Sequence, residues 1–340
     1  MARRLSDPAT LAYVLLERFF TIVAPSTLYE RLDDSAELLS LAEALGDPRM
    51  KAQALILHVR NNAEAGRFEE ADRHLEAAER LAAELGQPTL RWFMGHSRAV
   101  RVLLRGDLVE AERLIHANFE LGQATGQADA RVFFAAHLVQ LRFEQGRIGE
   151  LEGQVVEATT LYPTYQAHLA LLLCESGRPD EARIVYERLA DTDFAALPLD
   201  NGWMQAMAAC ALVCAHLGDR RGAAVLHGLL APYGDQFVFA YGGAWGAVAH
   251  HLGLLAGTLD RFDEAEGHFA AALATHERFG APAWLARTRC EWAAVLQRRD
   301  ALGDAERARL LLDQALATAR ELGLASVERR AVELLSHWNY

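Results

Sequence analysis

The chain has 340 residues, 51% of them hydrophobic and 24% charged, which is the balance of a folded globular protein with a sizeable core. Basic residues number 34 against 46 acidic ones, a formal charge of -12, so the field around the molecule repels phosphate backbones and anionic bilayers and argues against direct contact with nucleic acid or membrane. Lys51 is the sole lysine, and with Met50 before it no phosphate-binding Gly-Lys-Ser/Thr loop exists in the chain.

The N-terminal residues run straight into a helical pattern that includes Glu17 and Arg18, unlike a secretory leader. The longest apolar run, Ala206 to Ala215, is too short to span a bilayer. Four cysteines (Cys174, Cys210, Cys214 and Cys290) embedded in apolar runs fit a reducing compartment rather than a disulfide framework. A cytoplasmic location is expected.

In chain order, a largely apolar segment from Leu11 to Phe20 predicts an N-terminal helix, and Leu45-Gly46-Asp47-Pro48 closes the helix after it. From there a unit repeats: a turn residue, a staple residue two positions on, then a small residue opening the next helix. Gly66-Arg67-Phe68 leads to Ala71, Gly106-Asp107-Leu108 to Ala111, and Gly146-Arg147-Ile148 to Leu151. Gly177-Arg178-Pro179 leads to Ala182, Gly218-Asp219-Arg220 to Ala223, and Asp260-Arg261-Phe262 to Ala265, with a looser copy reaching Ala308. These anchors are spaced by 40, 40, 31, 41, 42 and 43 residues, so each unit is long enough for one helical hairpin. Glycine supplies the left-handed cap, the staple closes the turn, and the alanine lets two helices approach. Leu75 and Ala78, or Phe269 and Ala272, continue the same apolar stripe along the second helix.

The pattern predicts an all-α solenoid of about seven hairpins in a right-handed superhelix, with residues 1–340 forming one array. Residues 1–47 supply N-terminal capping helices, 48–322 the repeats, and 323–340 a C-terminal helix and tail. The glycine, aromatic, alanine, bulky, alanine order resembles the tetratricopeptide repeat with lengthened helices, although His58, Asn62, Gly95 and Arg98 stand where that family places apolar packing residues. Segments such as Leu5-Ser6-Asp7-Pro8-Ala9-Thr10-Leu11-Ala12-Tyr13, Leu230-Ala231-Pro232-Tyr233 and Trp284-Leu285-Ala286-Arg287-Thr288-Arg289 further resemble the helical-repeat region of large actinobacterial ATP-binding, LuxR-type regulators. That resemblance implies a sensor or scaffold arm binding an inducer or a partner protein. This sequence carries neither the ATPase module nor the helix-turn-helix of those regulators, as expected of a fragment or of a stand-alone relative.

Gly95-His96-Ser97-Arg98-Ala99 approaches a nucleophile elbow but lacks the final glycine and the preceding strand, so Ser97 is expected inside a helix. Cys210 and Cys214 share a helical face but lack further ligands, and His268 and His276, eight apart, make no ligand set, so no metal and no cofactor are expected. Of the adjacent His250 and His251, one is expected to face the groove while the other packs or reaches solvent. First helices of stacked hairpins line a concave surface, which puts the expected ligand site at Trp92, His96, His137, Trp203, Tyr241, Trp245 and His250. The segment from Gln236 to Trp245 is expected as a loop folded over that groove.

The leading functional expectation is a non-enzymatic module binding a small molecule, a peptide or a partner protein. The alternative is an enzyme with its active site inside the groove, built around His96, His137 and His250. A buried polar cluster with strongly shifted pKa values would favour the enzyme. The apolar N-terminal stretch and the Trp338-Asn339-Tyr340 tail suggest uncapped solenoid ends, hence a homodimer.

Overall fold

The computed structural model describes residues 7–240 and 242–336. Tyr241 and the Trp338-Asn339-Tyr340 tail lie outside the described residues. Among those described there are seventeen α-helices, which pack against their sequence neighbours as a solenoid-like all-α array.

Two helices lead, α1 (Pro8–Thr21) and α2 (Leu28–Ala44). Seven hairpins follow: α3 (Pro48–Glu64) with α4 (Phe68–Leu85), α5 (Pro88–Leu104) with α6 (Leu108–Ala124), and α7 (Ala130–Glu144) with α8 (Glu152–Leu161). Next come α9 (Tyr165–Glu175) with α10 (Pro179–Ala190), and α11 (Trp203–Leu217) with α12 (Arg220–Leu230). The last two are α13 (Val248–Thr258) with α14 (Phe262–Arg278), and α15 (Pro282–Arg299) with α16 (Asp304–Leu322), before the final α17 (Ala325–Ser336). Each sequence anchor falls at the start of a second helix or in the 3-10 turn before it. Ala71, Ala111, Leu151, Ala182, Ala223, Ala265 and Ala308 are all buried.

Several of the hairpin turns share one mechanism. The amide three residues past the first helix reaches back five residues to a carbonyl, as in Arg67 to Asn62, Arg147 to Arg142, Arg178 to Leu173 and Arg261 to Ala256. Asp47, Asp107 and Asp219 cap the following helices by accepting from their first-turn amides. Proline opens α1, α3, α5, α10 and α15, where its missing N–H costs nothing.

Tertiary closure departs from an open superhelix. The turns ending α3, α5 and α7 dock on the C-terminal hairpins. A Cβ added to Gly66 would stand 3.0 Å from Phe279 Cζ, and one added to Gly106 would stand 2.6 Å from Leu322 Cδ1. Both glycines have positive φ, so the residue type serves the turn and the close approach together. Arg101 donates to the Phe279 carbonyl at 2.9 Å. The buried Arg287 of α15 donates to Glu144 of α7 at 3.0 Å and to Ser326 of α17 at 3.0 Å, with its guanidinium 4.1 Å from the Phe143 ring centre.

The segment expected as a covering loop is instead a β-hairpin in the interior. Strand β1 (Phe237–Ala240) pairs antiparallel with β2 (Gly243–Ala247), and every residue of both is buried. Aromatic and β-branched residues favour the extended backbone. Side chains of the surrounding helices satisfy its remaining polar groups: Gln140 brackets Ala244, donating to its carbonyl and accepting from its amide, and Gln205 donates to the Gly243 carbonyl. Phe68, the staple of the first repeat, packs between Phe237 at 5.1 Å and Phe279 at 4.6 Å. The hairpin therefore fills space that an open groove would leave empty.

Candidate functional site

The described members of the expected site do not form one groove wall. Trp92, His96 and His137 come together between α5 and α7. The Trp92 and His96 rings lie 4.5 Å apart, and His137 stacks on His96 at 5.2 Å. All three are buried, and the space beside the two histidines is only about 10 Å³, room for one water at most. Asn118 donates to His96 Nδ1, while His137 Nδ1 donates to the Phe133 carbonyl. Ser97 lies within α5, as its neighbours implied.

Trp245 and His250 lie around the β-hairpin, and Trp203 belongs to the same apolar core as Trp245, with its ring 6.0 Å from that of Tyr233. The Trp245 indole meets Phe143 at 5.2 Å and His168 at 5.6 Å. His250 and His251 are both fully buried, which corrects the expectation that one of them faces the groove while the other packs or reaches solvent: both pack. They point in different directions, as adjacent helical residues must, but α13 is covered on all sides. The Ala247 amide donates to His276 Nε2 at 2.9 Å, so the proton of that ring sits on Nδ1 and is given to Thr288 Oγ1. Thr288 Oγ1 also pairs with His250 Nδ1 at 2.9 Å. His251 Nε2 donates to the Trp245 carbonyl at 2.8 Å. Burial holds His250 well below the usual histidine value, His251 at about 4 and His276 at about 3, so the network is neutral.

A recess large enough for a ligand lies elsewhere on the inner side, among the first helices α9, α11, α13 and α15 and the final α17. Its volume is about 390 Å³, within the range of small-molecule pockets. Leu171, Leu212 and Leu254 give it an apolar floor. Charged residues make its rim: Arg329 donates to Glu175 at 3.1 Å, and Arg330 donates to Glu291 at 3.3 Å and to Glu333 at 3.1 Å. The two carboxylates beside Arg330, Glu291 first, raise its pKa further, so the cation is permanent. Cys174 also lines the recess, and burial, with Glu175 adding to it, pushes its thiol up to about 12. That is the opposite of an activated nucleophile.

These rim residues carry no local signal in the sequence. Glu175, Glu291 and Arg330 read as ordinary solvent-facing helix charges, and only the stacking of non-adjacent helices makes them neighbours. One further group among the described residues has metal-ligating composition at close range, His227, Glu264 and His268. A one-turn Glu-His pair preceded by a histidine on the second helix of the previous hairpin would have been its sequence trace. No protein-family model matches the chain, and no curated protein matches it.

Proposed function

We propose that this chain is a non-enzymatic helical-repeat binding module whose inner recess between α9 and α17 takes a small amphipathic molecule or the end of a peptide. The observation that carries the reading is the recess itself, with its apolar floor and its rim of re-partnerable ion pairs. Glu175, Glu291 and Glu333 face Arg329 and Arg330, three negative charges against two positive, so the rim has one negative charge in excess. The occupant that fits carries an apolar body and a cationic or zwitterionic head. The likeness of the repeats to those of actinobacterial regulators supports a role as sensor or scaffold arm.

The enzyme alternative rests on His96, His137 and His250, buried polar groups whose pKa values are lowered. All three side chains are buried, however, and burial is the first cause of each shift. A site that no substrate reaches supports packing rather than catalysis.

Native mass spectrometry of the purified chain, with a thermal-shift panel of amino acids, amines and short peptides, tests the proposal. Leu212→Trp, which fills the recess, and Glu291→Gln, which removes one rim charge, should both abolish a stabilising shift seen with the wild type. If the shift survives in both variants while their helical circular dichroism is normal, the recess is not the site.

A further inference from the structure

We propose that His227, Glu264 and His268 form a binding site for a single divalent transition-metal ion, zinc by preference, on the outer face of the fifth and sixth hairpins. Glu264 and His268 lie one turn apart on α14 and so project together, while His227 reaches them from the neighbouring second helix α12. Glu264 Oε1 stands 3.1 Å from His227 Nε2 and 3.9 Å from His268 Nε2, and the three ligand atoms all lie within 4.8 Å of one another. Ligands around a four-coordinate zinc, at bonds of about 2.0 to 2.1 Å, sit roughly 3.3 Å apart. Small rotations of these side chains close the difference, and none of the three is locked in the core: His227 and His268 are half-buried and Glu264 is exposed.

Three features separate this group from an ordinary surface ion pair. His227 Nε2 is shielded from solvent yet makes no well-oriented hydrogen bond, even with a carboxylate oxygen 3.1 Å away, so its capacity to donate or to ligate is unspent. Two imidazoles converge on one carboxylate oxygen, a donor set that suits zinc, nickel or copper rather than calcium or magnesium. The other oxygen, Oε2, lies 3.5 Å from Arg261 Nη1, which turns Oε1 toward the histidines as an outer partner does in metal sites. With three protein ligands, a fourth position is left for water or for a donor from another molecule.

The test is calorimetric titration of the metal-stripped, full-length chain with Zn²⁺, with Co²⁺ absorption as a report of coordination geometry. One ion per chain is expected. His227→Ala, His268→Ala and Glu264→Gln should each weaken binding by at least about tenfold, and the double histidine variant should abolish it. His116→Ala, on a distant hairpin, should change nothing, and circular dichroism should match in all variants. The proposal is overturned if the wild type binds no stoichiometric zinc at roughly 100 µM. It is equally overturned if binding persists unchanged in the double variant, which would place the metal on other histidines such as the His58 and His74 pair.

Discussion

Lowering the pH from about 7.5 to 5.5 should unfold this protein through its interior histidines, well before its carboxylates titrate. Burial is the first cause of depression for His96, His168, His250, His251 and His276; His168 and His251 are brought to about 4 and His276 to about 3. In the unfolded chain each returns to about 6.5. Between the two values the unfolded state binds more protons, so stability is full above pH 6.5 and is lost as the pH falls toward 4. At pH 5.5, one unit below the unfolded value, each group that stays neutral in the fold favours the unfolded chain by roughly 1 kcal/mol, and the five together by several kcal/mol. A typical domain has only about 5 to 15 kcal/mol in all, so the acid transition should fall between about pH 6 and 5. His137, also depressed by burial, adds in the same direction. Urea unfolding followed by circular dichroism at several pH values measures the slope, which should correspond to about four to five protons taken up on unfolding near pH 5.5. His168→Gln should remove about one of them. Stability that stays flat from pH 7.5 down to about 5.5 would refute the reasoning, because it would mean that the imidazoles charge in place.

Arg287→Ala should cost about 3 to 5 kcal/mol in denaturant unfolding, because it strands the buried carboxylate of Glu144, whereas Arg287→Met combined with Glu144→Gln should recover most of the loss. Trp92→Ala and Trp245→Ala remove indoles that are each only 2% exposed, and both variants should lose about 3 to 5 kcal/mol of stability. Thermal denaturation within a degree or two of wild type would return those residues to the list of ligand contacts. The α1 face leaves Tyr13 61% and Phe20 62% exposed, so light scattering should show a dimer that Tyr13→Ser with Phe20→Ser converts to monomer. A strict monomer in the unaltered chain would remove that prediction.

Hairpin number, hairpin spacing and turn positions were readable from the chain because each is a local matter. Gly66 to Ala71 and its six relatives specify cap, staple and helix contact within six residues, and those interactions form whatever the rest of the molecule does. What covers each apolar face is not local. Helical periodicity marks Trp92, His137 and His250 as belonging to a face, yet it cannot say whether that face meets solvent in a groove or another element across the axis. Tertiary structure decided this by docking the Gly66 and Gly106 turns on Phe279 and Leu322, more than two hundred residues away in sequence, and by folding the Gln236 to Trp245 segment into the space between. The same distance hid the charged recess. Arg329 meets Glu175 across 154 residues and Arg287 meets Glu144 across 143, so residues that read singly as solvent-facing charges become an inner rim and a buried clamp only when the array closes.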